Sequence, residues 1–171
     1  MRLPGAPQAL ENYHALDAFD CGVDTLNDWL KRRARQNQTS GASRTFVCAD
    51  SSNQVVAYYA LASSAIAPVV ATGRFRRNMP DPIPVVVLGR LAIAQDYQGR
   101  GLGRALFQDA ASRVLNAADA IGVRGLLVHA LSDAAKTFYL GLGLDVSPLD
   151  PMTLMVTVAD LRSARLDTKE S

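Results

Sequence analysis

The spacing of apolar residues changes several times along this chain, and each change predicts a new element of secondary structure. Apolar residues recur at helical spacing over 23–34, which predicts a helix with Asp24 as its N-cap. A polar loop is expected to follow over 36–43. The short apolar runs 45–49 and 55–61 are rich in β-branched and aromatic residues, so they predict two strands joined by a turn.

The second half of the chain alternates strands and helices after an irregular, proline-containing segment over 64–84. Asp133 is the expected N-cap of a short helix that Gly141 and Gly143 are expected to end. This order, following an antiparallel pair, predicts an α/β fold (α+β, with a central mixed sheet) that carries helices on both faces. The predicted elements are a strand over 85–93, a helix over 102–120, a strand over 125–130, a helix over 133–140 and a strand over 152–158.

The length and composition fit one folded domain. A chain of 171 residues, with 49% hydrophobic and 20% charged residues, is long enough for one core. We expect a single domain over 1–171, with a tail that is flexible from about residue 163. The N-terminus lacks the apolar core of a signal peptide, and the longest apolar stretch, 55–71, is interrupted by serines and Pro68. We therefore expect a cytoplasmic protein with no membrane association.

Cysteine and histidine are too sparse to predict a metal site. Cys21 and Cys48 match no metal-ligand spacing and are expected to be reduced thiols, with a disulfide between them as the alternative. His14 and His129 lie far apart without neighbouring cysteines or carboxylates, and His129 falls within a predicted strand. The sequence therefore predicts no bound metal ion.

Positive charge is unevenly placed, although the formal net charge is only +2. A solvated surface would explain either of two basic clusters alone. Two clusters without any acid in a nearly neutral chain favour a polyanionic partner. The first cluster comprises Lys31, Arg32, Arg33, Arg35 and Arg44, and the second comprises Arg74, Arg76 and Arg77.

A glycine-rich turn between the predicted strand 85–93 and the predicted helix 102–120 is the main candidate for a functional site. The first N–H groups of a helix have no partner within the helix, and glycines let a phosphate approach them. A P-loop would need Lys followed by Ser or Thr, and a Rossmann fingerprint would need a small residue where Arg104 or Leu106 stands, so neither fits. The residues expected to bind a pyrophosphate are Gln98, Gly99, Arg100, Gly101, Leu102, Gly103 and Arg104.

The spacing of Gln98, Gly101 and Gly103 directly after a strand resembles the acyl-CoA pyrophosphate loop of the GNAT N-acetyltransferase family. The resemblance implies the GNAT acyl-CoA N-acyltransferase fold, with acetyl-CoA as co-substrate and no metal. In that family the strand before the loop splays from its neighbour, and its backbone pairs with the pantetheine amides. The matching positions here are Leu91, Ala92 and Ile93.

The segment 132–139 resembles the helix that follows the next strand in the same family. A tyrosine in that helix often protonates the departing thiolate of CoA, which implies this role for Tyr139. A phenol with a pKa near 10 can donate a proton to a thiolate of similar basicity. The same match implies that Ser132 and Phe138 belong to the cofactor site.

Several spaced motifs over residues 10 to 160 resemble the GNAT toxins of type II toxin–antitoxin modules. The resemblance implies acetylation of the α-amine of aminoacyl-tRNA, which blocks translation. It also implies a homodimer and a ribbon-helix-helix antitoxin. The motifs lie at 17–22, 26–30, 58–62, 88–92, 128–130 and 148–154.

The scarcity of candidate bases bears on the acceptor independently. The glutamates, Glu11 and Glu170, lie near the two ends, and no acid lies over 85–95. An α-amine with a pKa near 7.7–8.0 is neutral roughly one time in ten or more at pH 7, whereas a lysine amine is neutral about four times in ten thousand. An α-amine is therefore the easier acceptor. A backbone carbonyl, an ordered water, Asp96 or Asp133 stays open as the proton path.

The acceptor stem of tRNA would be held by phosphate contacts from the two basic clusters. The expected contacts are Arg33, Arg35, Arg76 and Arg77. Two alternatives stay open at this point. One is acetylation of a protein N-terminus, a polyamine or another small amine, and the other is a non-catalytic acyl-CoA-binding module that works through protein partners.

Overall fold

The computed structural model describes residues 3–170, with side chains described through residue 165. Two 3-10 turns lie at Pro68–Val70 and Gln95–Tyr97. The strands are β1 (Gln8–Ala9), β2 (Arg44–Ala49), β3 (Val55–Ile66), β4 (Ile83–Ile93), β5 (Gly125–His129), β6 (Asp145–Val146) and β7 (Thr153–Thr157). The helices are α1 (Asp24–Arg32), α2 (Ala34–Ser40), α3 (Gly73–Arg76), α4 (Leu102–Ala120), α5 (Asp133–Gly141) and α6 (Val158–Glu170).

The strands form a seven-stranded sheet in the order β1-β2-β3-β4-β5-β7-β6. The sheet is mixed, because β4 and β5 run parallel while β1–β2, β2–β3, β5–β7 and β6–β7 are antiparallel pairs. The predicted α/β class and the predicted antiparallel pair before the alternating half are confirmed. The chain divides into two compact units, Met1–Ala62 with Gly89–Ala110 and Ser63–Leu88 with Ala111–Ser171. The single domain over 1–171 stays a prediction.

The first unit has a core built around α1 and the inner face of its strands. Leu30 and Tyr58 are fully buried, and Phe19, Val47 and Ala92 pack in the same cluster. Burying a large aliphatic or aromatic side chain contributes about 1.5–3 kcal/mol each. The Tyr58 hydroxyl donates to the backbone carbonyl of Leu26 at 2.6 Å, which satisfies the polar end of a buried ring.

The second unit has a core of its own, centred on Phe75, Ile83, Leu127 and Met155. Arg124, which precedes β5, fixes the short helix α3. Its guanidinium donates to the backbone carbonyls of Phe75 at 2.7 Å and of Arg74 at 2.8 Å.

Three differences from the sequence prediction lie in polar or irregular segments. The expected loop over 36–43 is largely helical, because α2 occupies Ala34–Ser40 and ends at Gly41 with a φ of 82°. The side chain of Gln38 accepts from the Thr45 backbone N–H at 2.8 Å, so tertiary contacts stabilise a helix whose own pattern is weak. Strand β3 continues to Ile66, and α3 lies within the segment expected to be irregular.

Both predicted N-caps are wrong by one residue. Asp24 and Asp133 are the first residues of their helices, where a carboxylate suits the helix dipole. The N-cap of α1 is Val23, without a side-chain cap, and the N-cap of α5 is Ser132. The tail expected from about residue 163 lies within α6 as far as Glu170. Ser171 and the side chains from residue 166 onward lie outside the described residues.

Gly125 at the start of β5 is a sensitive point of the second unit. A Cβ at this position would lie 2.1 Å from the Val156 backbone oxygen and 2.7 Å from Phe75 Cε2. We expect Gly125→Ala to lower the free energy of unfolding by about 2–4 kcal/mol, because a backbone oxygen cannot yield as a side chain can. Urea unfolding monitored by circular dichroism measures this loss.

Gly122→Ala is the matched control, since a Cβ there meets no atom within 4 Å. Its free energy of unfolding should stay within about 0.5 kcal/mol of the parent protein. Equal unfolding midpoints for the two variants would contradict the steric explanation.

Candidate active site

Strand β4 extends beyond its pairing with β5. The parallel register runs from Val85–Gly125 to Leu88–Val128, whereas β4 continues to Ile93. On its other side, the backbone N–H of Ala94 donates to the Val56 carbonyl at 2.8 Å. The predicted pantetheine-binding residues lie in this last stretch of β4, where the described β5 pairing has ended: Leu91, Ala92 and Ile93.

The side chain of Gln98 fixes the turn that follows β4. Its Nε2 donates to the backbone carbonyls of Ile93 at 2.8 Å and Cys21 at 3.0 Å. Both amide protons are therefore engaged by backbone oxygens. The sequence analysis placed Gln98 among the cofactor-binding residues, and in the structure its side chain positions the loop. A ligand would therefore bind to the backbone groups of the loop.

A small network at the N-terminal end of α1 holds the carbonyl that Gln98 binds. The Asn27 side chain accepts from the Cys21 N–H at 2.9 Å and donates to Asp20 Oδ1 at 3.1 Å. Asp20 Oδ1 also accepts from the Gly22 N–H at 2.9 Å, and this bond is the main reason that the pKa of Asp20 is lowered. The Gln95 N–H donates to the Asp20 carbonyl at 2.9 Å. The segment around Asp20 and the loop are therefore joined at two points.

Two glycines give the loop its shape. Gly99 and Gly101 have φ values of 77° and 81°, in the left-handed region that disfavours residues with a Cβ. A Cβ on either residue would meet no atom within 4 Å, so the backbone conformation alone is what favours glycine here. The Ala105 N–H donates to the Gly101 carbonyl at 3.2 Å, which begins α4.

The start of α4 is suited to a pyrophosphate. Helix geometry leaves the first backbone N–H groups, at Leu102, Gly103 and Arg104, without acceptors inside the helix. Arg104 is exposed, and the exposed Arg100 lies with its Cζ 5.8 Å from the centre of the Tyr97 ring. Glycine backbone, free amides and two guanidinium groups fit the pyrophosphate of acetyl-CoA, which carries two negative charges and is rich in acceptors.

Tyr139 is buried in α5, with its side chain only 7% exposed. Its ring packs edge-on against Phe138 at a centroid distance of 5.1 Å. Burial raises the pKa of the Tyr139 phenol to about 12, so the group keeps its proton throughout the physiological range. Ser132 Oγ accepts from the Ala135 N–H at 3.1 Å, so this hydroxyl caps the helix that carries Tyr139.

A second feature of the first unit is an open groove of about 320 Å³ on the surface of α1, which we call the arginine groove. Arg90 lies over the Trp29 ring, with its Cζ 4.5 Å from the ring centre. Trp29 in turn stacks on the buried Tyr58 at 5.9 Å. The lining residues are Thr25, Asp28, Trp29, Arg32, Arg33 and Arg90.

Of the four predicted tRNA contacts, Arg33 lines this groove and Arg35 does not. Arg35 donates through Nη2 to the His14 carbonyl and lines a different groove beside Glu11. Sequence reasoning missed Arg90 and Trp29. An arginine inside the otherwise apolar strand 85–93 was the available signal, because a charge there must be accommodated by a specific partner.

The arginines of the second basic cluster differ in whether a carboxylate pairs with them. Arg74 forms a bidentate salt bridge with Asp160, with Nε–Oδ2 and Nη2–Oδ1 distances of 2.8 and 2.6 Å. Arg76 ends α3 and Arg77 follows it, and both side chains are exposed. Arg76 and Arg77 therefore stay accessible to an anionic ligand, whereas the charge of Arg74 is matched by a carboxylate.

A chain of hydrogen bonds links Asp150, Thr153 and His129 in the second unit. Thr153 Oγ1 donates to Asp150 Oδ2 at 2.6 Å and lies 2.9 Å from His129 Nδ1. The hydrogen bond from Thr153 to Asp150 is the main reason that the pKa of Asp150 is lowered. The sequence placed His129 correctly in a strand but did not predict the chain, because its members are brought together only by the β5–β7 register.

Metal binding, thiol reactivity and membrane crossing can each be assessed from the described residues. Within residues 3–165, no group of three or more His, Cys, Asp and Glu side chains is placed to hold a metal ion. Cys21 and Cys48 are buried free thiols, and burial raises the pKa of Cys48 to about 11. Among the described helices, none is both long and apolar enough to cross a membrane.

The chain is similar to known acetyltransferases and toxins. A family model described as an acetyltransferase (GNAT) domain matches residues 41–143. A tRNA-acetylating toxin of Mycobacterium tuberculosis (strain ATCC 25618 / H37Rv) is 46% identical over 159 residues, which cover 92% of this chain and 95% of that protein. The structure of AtaT complexed with acetyl-methionyl-tRNAfMet has a TM-score of 0.86 and 28% identity, covering 93% of this chain and 98% of that one. A structure of a tyrosine-to-phenylalanine mutant of the AtaT toxin, bound to the C-terminus of the antitoxin AtaR and to acetyl-CoA, has a TM-score of 0.79 and 28% identity. The match covers 93% of this chain and 96% of that one.

The matched segment runs from the start of β2 to the end of α5. It therefore contains the extended end of β4, the glycine-rich loop and the helix that carries Tyr139. The similarity to the Mycobacterium tuberculosis toxin extends over almost the whole length of both proteins. By its fold, its loop and these matches, the chain belongs to the GNAT acetyltransferase family.

Proposed function

We propose that the protein is a toxin that transfers the acetyl group of acetyl-CoA to the α-amine of aminoacyl-tRNA and thereby blocks translation in the cytoplasm. The observation that carries the proposal is the 46% identity to a tRNA-acetylating toxin over 92% of this chain. The likeness to AtaT complexed with acetyl-methionyl-tRNAfMet supports the same acceptor.

Acetyl-CoA supplies an activated acetyl thioester, and the chain's own groups hold it. The N–H groups of Leu102, Gly103 and Arg104 bind the pyrophosphate, and Arg100 adds charge at the rim. The unpaired edge of β4 over 91–93 receives the pantetheine amides, as main-chain pairing adds an extended segment to a sheet edge.

Tyr139 donates its phenolic proton to the CoA sulfur as the carbon–sulfur bond breaks. Burial raises the pKa of the phenol to about 12, so the acid is protonated at neutral pH. The apolar surroundings that raise the phenol's pKa disfavour a bare thiolate as well, because burial penalises any charged form. Proton transfer to sulfur is therefore favoured at the moment of cleavage.

The arginine groove is suited to the acceptor end of tRNA. Arg32 and Arg33 are exposed and supply phosphate contacts, which position a nucleic acid without reading its sequence. Trp29 offers a ring face on which an unpaired base can stack. Because Arg90 belongs to β4, one residue before Leu91, the groove adjoins the strand proposed to hold the thioester. Arg76 and Arg77 supply further phosphate contacts.

The proposed partners follow from the same relatives. A structure of the AtaT toxin includes the C-terminus of the antitoxin AtaR. We propose three further properties for this chain: a ribbon-helix-helix antitoxin as its partner, a homodimeric state and a single domain over 1–171.

The first test is transfer of labelled acetyl from acetyl-CoA to charged tRNA. We expect label on aminoacyl-tRNA and none on deacylated tRNA or free amino acids. Only aminoacyl-tRNA combines an amine whose basicity is lowered by the ester with a tRNA that the protein can bind. Acid precipitation and release of the acetylated amino acid by mild base would measure it. Label on a polyamine or a peptide N-terminus instead would reject the tRNA proposal.

Tyr139→Phe is the matched catalytic variant, since it removes one oxygen from a buried ring. We expect acetyl-CoA affinity within about twofold of the parent protein and kcat lowered by about 10²–10⁴-fold. A parent-like kcat would remove Tyr139 from the mechanism.

Gln98→Glu should weaken acetyl-CoA binding. The isosteric carboxylate would face the carbonyls of Ile93 and Cys21, where it repels both oxygens instead of donating to them. We expect the KM for acetyl-CoA to rise at least about tenfold, with kcat changed much less, because the loop geometry affects binding first. Gln108→Glu, on the exposed side of α4, is the control of equal charge. Equal KM values for the two variants would contradict the positioning role of Gln98.

Reversal of charge in the arginine groove should weaken tRNA binding without affecting acetyl-CoA. We expect Arg32→Glu with Arg33→Glu to lower tRNA affinity at least about tenfold, and to reduce the slope of log K against log salt by about one per lost phosphate contact. Arg76→Glu with Arg77→Glu should act in the same direction. Filter binding over a salt series measures both quantities.

Arg162→Glu with Arg165→Glu changes the net charge equally on exposed positions of α6 outside both clusters. This control should leave the salt slope unchanged. A slope that falls equally in all three double variants would indicate a response to net charge alone.

A further inference from the structure

The second unit contains a polar chain whose chemistry the proposed mechanism does not use. His129 ends β5 and lies opposite Thr153 of β7 in the antiparallel register. Thr153 is 2% exposed, whereas Asp150 and His129 are exposed. The Met152 N–H donates to Asp150 Oδ1 at 3.0 Å, and the Thr153 N–H donates to the Asp150 carbonyl at 3.1 Å. The carboxylate is therefore held in a tight turn.

The hydrogen bonds determine which nitrogen of His129 carries the proton. The Thr153 hydroxyl has one proton, and it donates that proton to Asp150 Oδ2 at 2.6 Å. Thr153 Oγ1 must then accept from His129 Nδ1–H, which lies 2.9 Å away. The neutral imidazole is consequently the Nδ1–H tautomer, with the lone pair on Nε2. Within the described residues, Nε2 has no hydrogen-bond partner, and His129 is exposed.

The position of His129 relates it to the acetyl-transfer chemistry. It follows Val128, the last β5 residue paired with the parallel strand β4, and it precedes α5, which carries Tyr139. Ligands of α/β sheets bind at the carboxyl ends of parallel strands, and His129 lies at the carboxyl end of β5. A base with a fixed tautomer and an open lone pair is thus placed at the sheet edge where a substrate is expected.

We propose that His129 is the general base that takes the proton from the acceptor amine, with Thr153 and Asp150 as positioning residues. This inference rests on the proposed acetyl transfer and adds the proton acceptor that the sequence left open. The acids considered from the sequence, Asp96 and Asp133, are exposed on a 3-10 turn and at the first turn of α5. Among the described residues, neither takes part in a hydrogen-bonded chain comparable to that of His129.

The step balances as follows. The amine nitrogen attacks the acetyl carbonyl carbon, a C–N bond forms, and the C–S bond breaks. The proton of the attacking nitrogen passes to His129 Nε2, and Tyr139 gives its proton to the CoA sulfur. The imidazolium then returns its proton to water and the phenolate regains one, so that the products are the acetamide and CoA thiol. Asp150 faces the imidazolium through Thr153 and stabilises its charge.

His129→Asn is the main test, because its amide can still donate toward Thr153 but cannot accept a proton. We expect kcat/KM to fall about 100-fold at pH 6.5 and the deficit to narrow to less than about tenfold at pH 8.5. The reason is that the α-amine of the aminoacyl ester, whose pKa lies below the ordinary 7.7–8.0, is almost wholly neutral at pH 8.5 without help from a base. Acetyl-CoA affinity and the unfolding midpoint should match the parent protein. A deficit that is constant across this pH range, or a parent-like rate at pH 6.5, would overturn the proposal.

Two further variants separate a base from a structural residue. His129→Ala should recover activity when free imidazole is added, because the added base can occupy the vacated volume, and the absence of any recovery would count against the proposal. Thr153→Val should lower kcat/KM about three- to tenfold. It should also shift the ¹⁵N resonances of His129 away from the Nδ1–H tautomer. Unchanged resonances would remove Thr153 from its positioning role.

Each assay should be run on charged tRNA and on an amino acid methyl ester. The parent protein on charged tRNA tests the proposed function. The ratio of variant to parent rate on the methyl ester tests His129 independently of tRNA binding. Activity on the ester with none on charged tRNA would reject the toxin proposal and leave the role of His129 measurable.

Discussion

The two hydrogen bonds donated by the Gln98 amide determine the loop geometry on which the proposed acetyl-CoA site depends. They join the end of β4 to the turn around Cys21 and set the path of the glycine-rich loop. The carbonyl of Cys21 is itself fixed, because Asn27 and Asp20 hold the same turn from the N-terminus of α1. A loop with left-handed glycines has many accessible conformations, so an anchor of this kind reduces the entropy lost when a phosphate binds. The proposed phosphate cradle is thus maintained by an amide that does not itself need to touch phosphate.

Local patterns in the sequence predicted the elements that carry the cofactor site. The bounds of α4 agree with the prediction, since its apolar spacing is sustained over many residues and a glycine-rich turn precedes it. The strand before the loop and the position of Tyr139 on a short helix were likewise predicted. Helix α2 was missed because only Ala34 of its residues is buried, and contacts with β2 stabilise it instead of an apolar stripe. The caps were misplaced because Asp is favourable both at an N-cap and in the first turn.

Long-range contacts separate residues that look equivalent in the sequence. Arg33 and Arg35 belong to one basic cluster, yet the first lines the arginine groove and the second donates to the His14 carbonyl. Arg74 is neutralised by Asp160, which lies far along the chain, whereas Arg76 and Arg77 are exposed. The pairing of His129 with Thr153 depends on strand register in the same way. The sequence shows how many charged and basic side chains the chain has, but the partner of each side chain is known only from the fold.

The use of arginine instead of lysine in the groove affects whether the groove's side chains can be acetylated by acetyl-CoA. A lysine ε-amine held beside an acetyl thioester is itself an acceptor, and its acetylation would remove a positive charge from the proposed RNA-binding surface. A guanidinium stays protonated and is not a nucleophile, so it keeps its charge in the presence of acetyl-CoA. Among the residues that line the groove, the cations are Arg32, Arg33 and Arg90. The thiols are protected differently, because burial raises the pKa of Cys48 to about 11 and leaves little thiolate to react. The proposed acceptor groove therefore keeps its positive charge in the presence of a reactive acyl donor.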